Sequence, residues 1–105
     1  MKITKIDIYQ IQPESFEANR DLGYLFLCWR FAKDVFNLDD YKLVYHMGYS
    51  TKYTKDEDIL EDIWVMFNCE DRTPANYTGR SLSVSDVVGI DGRLYFCDSA
   101  GWKRI

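Results

Sequence analysis

Histidine occurs once in this chain, proline twice and cysteine three times; the few prolines argue against disorder, and the other two shortages each close off a class of function. The three cysteines, Cys28, Cys69 and Cys97, are odd in number and lack the C-x-x-C spacing of a zinc site or a disulfide framework. His46 alone cannot complete a ligand set with them. The expectation is therefore no metal, no cofactor, and three reduced thiols behaving as small hydrophobes in a cytoplasmic protein. The longest wholly apolar run, Tyr24-Leu25-Phe26-Leu27-Cys28-Trp29, has six residues, whereas spanning a bilayer takes about 20. No apolar core follows Met1-Lys2-Ile3-Thr4-Lys5, because Asp7, Gln10 and Gln12 interrupt, so a signal peptide is not expected. Basic residues are also short: 13 against 17 acids, for a net charge of −4. Nucleic-acid binding is disfavoured on that balance, since such proteins present a basic face.

What remains is the composition of a folded domain. Apolar residues make up 47% of the 105, enough for one independent core, so residues 1–105 read as a single domain. The acidic excess lies in the second half: residues 56–105 carry five Lys/Arg against ten Asp/Glu.

An opening strand is expected at Ile3–Ile11, with Ile6, Ile8 and Gln10 on one parity and Asp7, Tyr9 and Ile11 on the other. Pro13 ends it, and residues 13–23 form a polar connection. From about Leu25 the spacing turns helical: Leu27, Phe31, Val35 and Leu38 oppose a polar stripe of Arg30, Lys33, Asp34 and Asn37, and Asn37 ends the helix. A Val- and Tyr-rich strand follows at 42–49. The strongest helix spans 56–68, with Ile59, Leu60, Ile63, Trp64 and Phe67 on its apolar face. Thr54-x-x-Glu57 fits a capping box, and five acids load the first turns. Residues 69–80 are a loop. Asp91-Gly92 between Val87–Ile90 and Arg93–Phe96 is the signal for a two-residue type I′ hairpin. A short further strand is expected near Trp102–Ile105. The fold expected is α+β in the order β-α-β-α-β-β: an antiparallel sheet with both helices on one face, curling toward a small barrel.

Hydroxyls and carboxylates concentrate in the last quarter. The hairpin register pairs positions that sum to 183 and sets Ser85 opposite Asp98, should pairing run that far. Alternatively Ser83-x-x-Asp86 forms a capping turn that ends the pairing near Val87. A candidate ligand or partner surface collects Arg80, Ser81, Ser83, Ser85, Asp86, Asp98, Ser99 and Trp102, with Arg80 as an anion clamp. A serine nucleophile would need a base and an oxyanion hole. His46 is remote in sequence, so no catalytic residue is assigned and a non-enzymatic role is favoured. The acidic helix face, Asp56, Glu57, Asp58, Glu61 and Asp62, reads chiefly as capping and solvation, with a partner surface or a mimic of DNA phosphates as the alternatives. Trp64 and Trp102 could together form an exposed aromatic patch; Trp64 fits the core better, and Trp102 either covers the core edge or projects into a partner.

The string Gly79-Arg80-Ser81-Leu82-Ser83-Val84-Ser85-Asp86-Val87-Val88, closed by Asp98-Ser99-Ala100-Gly101-Trp102, resembles the signature of YodL-like domains. Upstream, Tyr9, the strand of Tyr45 after Asp40-Tyr41, and Leu60-Glu61-Asp62-Ile63-Trp64 with Phe67-Asn68 follow the same pattern, so the resemblance covers nearly the whole chain. Trp102 departs from it, standing where Phe is commoner. The resemblance implies a cytoplasmic accessory domain of Firmicutes-type bacteria and their mobile elements, and brings no catalytic residue to carry over. A protein partner is expected, with no nucleic acid and no membrane; the oligomeric state is open. The alternative is a small-ligand-binding domain or an enzyme using the Ser/Asp/Arg group. A third possibility is a local nucleic-acid patch at Trp102-Lys103-Arg104.

Overall fold

The structure, a computed structural model, describes residues 2–11, 28–34 and 36–105. The connection expected over 13–23, the start of the first helix at Leu25–Leu27, and Val35 of its apolar stripe lie outside the described residues.

Five antiparallel strands form one sheet in the order β2-β1-β3-β4-β5: β1 (Lys2–Ile11), β2 (Tyr41–Thr51), β3 (Val87–Ile90), β4 (Arg93–Asp98) and β5 (Gly101–Arg104). The long helix α2 (Asp56–Asn68) follows β2, and a single helical turn, α1 (Trp29–Ala32), precedes a 3₁₀ turn at Leu38–Asp40. The order thus carries a fifth strand beyond β-α-β-α-β-β, the short one expected near Trp102–Ile105, which runs over Gly101–Arg104. Among the described residues the sheet also stays open: β2 and β5 lie at opposite ends of the strand order and do not pair to close a barrel.

Register places the side chains. Ile6 pairs with Ile90 and Ile8 with Val88, so these four share a face and pack on Ile59, Leu60, Ile63 and Phe67 of α2. The opposite parity, Ile11, Val87 and Phe96, forms a second cluster with Ala32, Trp29, Phe36 and Tyr41. Trp29 meets Phe96 edge-on at 5.0 Å, and Phe36 meets it at 5.9 Å. The two helices therefore cover opposite faces, not one. This sandwiching explains why all four residues of β3 are buried, as expected of a strand covered on both sides.

The first helix is the largest departure. Trp29, Ala32 and Phe36 turn inward, whereas Phe31 is 62% and Leu38 38% exposed. Both stripes have helical spacing. The aromatic one is drawn in because Trp29 and Phe36 can stack on Phe96, and the Asp98 carboxylate accepts the Trp29 N–H at 3.1 Å. Asn37 does not end a helix; its side chain caps the 3₁₀ turn by accepting the Asp39 N–H at 3.0 Å. The capping box is also absent: α2 starts from Lys55, with no side-chain cap.

Instead, two carboxylates of α2 fasten it to the sheet. Asp56 accepts two bonds from Arg93, at 2.7 and 2.8 Å, and a third from the Tyr95 hydroxyl. Asp62 accepts from the Tyr49 hydroxyl and pairs with Arg72 at 3.0 Å. Solvation and capping thus account for only part of the acidic face. Glu57, Asp58 and Glu61 stay exposed.

Asp91 and Gly92 have φ of 49° and 87°, the positive values a type I′ turn needs. Val87 to Ile90 pair with Phe96 to Arg93 as the hairpin signal requires.

Candidate functional site

Gln10 stands on the buried parity of β1, beside Ile8, and is 1% exposed. A buried amide must be satisfied, and the partner is the chain at Arg80. The Gln10 carbonyl oxygen accepts the Arg80 N–H at 3.0 Å, while its Nε2 donates to the Arg80 carbonyl at 2.9 Å and to Asp86 Oδ2 at 3.1 Å. The amide thus acts as a one-residue strand partner. The Tyr77 hydroxyl donates to the same Arg80 carbonyl. A Cβ on Gly79 would come within 2.5 Å of the Tyr77 hydroxyl and 2.8 Å of Gln10 Oε1, so any larger residue there must displace the ends of these two side chains.

Asp86 is fully buried. Its Oδ2 accepts the Ser83 N–H at 2.9 Å, and Arg80 Nη2 lies 3.5 Å from its Oδ1 while donating to the Ile11 carbonyl at 3.2 Å. Burial dominates and pushes the Asp86 carboxyl up to about 6, although Arg80, the Ser83 N–H and Gln10 pull the other way. Burial likewise raises Tyr77 to about 12, helped by the charge of Asp86.

Of the two alternatives for the serine string, the turn forms. The Asp86 N–H bonds the Ser83 carbonyl at 3.1 Å. Ser85 donates its N–H to the Cys97 carbonyl at 2.9 Å, and Cys97 returns its own to the Asp86 carbonyl at 2.8 Å. Ser85 and Asp86 together therefore oppose Cys97, a bulge that ends the ladder. Ser85 occupies its glycine-favouring position with φ 83°, and the Tyr41 hydroxyl holds its carbonyl. Ser85 consequently does not face Asp98. Ser81 is exposed, its carbonyl accepting from the Ser83 hydroxyl at 3.3 Å.

The remaining candidate residues lie elsewhere. Asp98 Oδ1 accepts the N–H groups of Trp29 at 3.1 Å and Ser99 at 2.8 Å. Trp102 pairs with Cys97 across β4–β5 and meets Trp64 of α2 edge-on at 6.4 Å. Around these rings run two connected grooves of about 690 and 290 Å³, sharing Glu61, Gly101 and Trp102. The larger is walled by Lys55, Glu57, Asp58 and Tyr95; the smaller reaches Asp98 and Ser99. Arg80 opens onto a separate groove of about 350 Å³ with Lys42 and Thr78. The eight candidates thus divide into an internal corner of Arg80, Ser83, Ser85 and Asp86, and an open groove of Asp98, Ser99 and Trp102, with Ser81 exposed beside the corner.

Sequence reasoning passed over Gln10, Tyr77 and Lys42 as site residues. Gln10 had a signal: a polar side chain on the Ile6-Ile8 parity must have a buried partner. The others became neighbours only through long-range packing. His46 stands opposite Asp7, its Nδ1 2.6 Å from the carboxylate, on an exposed rim. Among the described residues no cluster of three metal-ligating side chains occurs, and no helix is long and apolar enough to cross a membrane.

No curated protein and no solved structure matches this chain. The family model described as YodL-like domain matches residues 5–105, nearly the full length and including the whole serine string and its hairpin. The chain belongs to the YodL-like domain family.

Proposed function

We propose that this domain is a non-enzymatic protein-interaction module, an accessory domain of the cytoplasm of Firmicutes-type bacteria and their mobile elements. The observation that carries the reading is the Trp64–Trp102 pair, half-buried at the junction of two open grooves beside the edge strand β5. Aromatic side chains on a rigid platform supply large contact area at small entropic cost, and they dominate interface energetics. The corner, by contrast, spends its polar groups on holding the chain: Asp86, Gln10 and the Arg80 backbone bond one another. The proposed partner surface is therefore Asp98, Ser99 and Trp102, extended by Glu61 and Trp64.

The test is capture from a bacterial lysate with wild type, Trp102→Ala and Ser81→Ala, followed by reconstitution with the purified partner. A partner that binds wild type and Ser81→Ala, but binds Trp102→Ala at least 10-fold more weakly, supports the reading. A captured partner indifferent to Trp102 removes it.

A second reading, a small-ligand site, is favoured by the groove that brings Lys42 and Arg80 to one opening. Two cations there suit a carboxylate or phosphate. Calorimetry with inorganic phosphate and citrate, on wild type and Lys42→Ala, tests it; no heat with either anion disposes of it.

A further inference from the structure

The β5 edge meets the acidic groove in a geometry suited to one kind of occupant. The Ile105 N–H bonds the Leu94 carbonyl at 3.0 Å, and Phe96↔Lys103 and Asp98↔Gly101 follow at intervals of two. In an antiparallel ladder, hydrogen-bonded pairs alternate with non-bonded ones. Trp102 and Arg104 occupy the alternate positions, so their N–H and C=O groups point away from β4. Among the described residues no strand lies beyond β5, and Gly101, Lys103 and Arg104 are exposed.

A strand added there would send every second side chain to the face of Trp102, over the groove toward α2. That groove presents Glu57, Asp58 and Glu61 with Lys55 on its wall, and Arg104 lies over the ring of Tyr95 beside it, so the acids outnumber the cations by one. Asp56 on its wall is already committed to Arg93. A second copy of β5 is a poor occupant, because Lys103 and Arg104 would meet their like, the usual protection of an edge strand.

We infer that β5 accepts, by strand addition, an extended segment of another protein that carries Lys or Arg at alternate positions, all directed to the Trp102 face. The inference rests on the interaction reading above and names its partner's chemistry. Backbone bonds to Trp102 and Arg104 would supply register, and the basic side chains facing Glu57, Asp58 and Glu61 would supply selectivity.

The probe is a capped peptide of alternating Lys and Val, six residues long, titrated into the labelled protein and followed by amide chemical shifts. Its controls are the Glu/Val counterpart and a Lys/Val version N-methylated at alternate amides. Expected is saturable binding of the Lys/Val peptide with the largest shifts at the Trp102 and Arg104 amides. Affinity should fall at least 10-fold on N-methylation and with Glu57→Lys plus Glu61→Lys, and the acidic peptide should not bind. Equal binding of the N-methylated peptide, equal binding of the acidic one, or no shift at β5 overturns strand addition. So does self-association through β5 with no peptide bound. Arg104→Pro removes an N–H that points outward, and Arg104→Ala controls for the lost side chain. A captured partner that needs Trp102 but binds Arg104→Pro and Arg104→Ala equally would sink strand addition while leaving the interaction module standing.

Discussion

The Gln10 side chain pairs with both the N–H and the C=O of Arg80, 70 positions away, and so substitutes for a strand that the loop before β3 does not form. It joins β1 to the serine string and also donates to the buried Asp86.

Gln10→Ala should cost about 3 kcal/mol, because it leaves a buried backbone pair and a buried carboxylate short of partners. Gln10→Glu should be no better at neutral pH, since it sets a second carboxylate against Asp86. Gly79→Ala should cost about 1–3 kcal/mol by forcing a Cβ into Tyr77 and Gln10. Urea unfolding measures all three, and near-wild-type midpoints would mean that Gln10 does not hold the corner to β1.

Ser85 tests backbone strain. At φ 83° the left-handed conformation is costly for any residue with a Cβ, most of all a β-branched one. Ser85→Gly should be the mildest substitution, and Ser85→Val should be less stable than Ser85→Gly by about 2 kcal/mol or more. The thermal midpoints of the two variants report the order directly. A valine variant as stable as the glycine one would show that the turn is not formed as described.

Two carboxylates give opposite pH dependences. Asp86 sits at about 6 in the folded chain against an ordinary 3.8, so the native state binds the proton more tightly. Its contribution to stability therefore rises as the pH falls through 6 and is complete below about 4. Asp56, held at about 2 chiefly by its bonds from Arg93, contributes stability above 3.8 that is lost as the pH falls through 2. Between about pH 7 and 4.5, wild type should gain stability relative to Asp86→Asn, by up to roughly 2 kcal/mol at 1.36 kcal/mol per unit. Below about pH 3.5, Asp56→Asn should lose less stability than wild type. Parallel midpoint curves for wild type and Asp86→Asn would contradict the burial of a charged Asp86.

Cys97 is 3% exposed, and burial, with the charges of Asp86 and Asp98 adding, pushes its thiol up to about 12. The thiolate is the reactive form. Iodoacetamide at neutral pH, with peptide mapping, should modify Cys28 and Cys69 first, both partly exposed. Cys97 should react only on unfolding. Early labelling of Cys97 would show that the β3–β4 end of the sheet opens locally.

The elements with a local cause were legible without the fold. Helix 56–68 carries its apolar face in its own spacing, and Asp91-Gly92 specifies its turn through two residues that tolerate positive φ. The hairpin register followed from that turn, as far as the bulge. The serine string identified the family.

The first helix and the site were decided elsewhere. Two helical stripes compete between Trp29 and Leu38, and only Phe96, some 60 positions on, favours the one containing Trp29 and Phe36. Nothing local could say that α1 and α2 would cover opposite faces, because that depends on how β1 pairs with both β2 and β3. The same pairing brought Gln10 to Arg80 and Asp86, and the short strand at Trp102 laid its indole against Trp64. Turn chemistry and amphipathic spacing act over a few residues, so sequence alone determines them. Which faces meet, and which polar groups are buried together, is a property of long-range packing that only the tertiary structure decides.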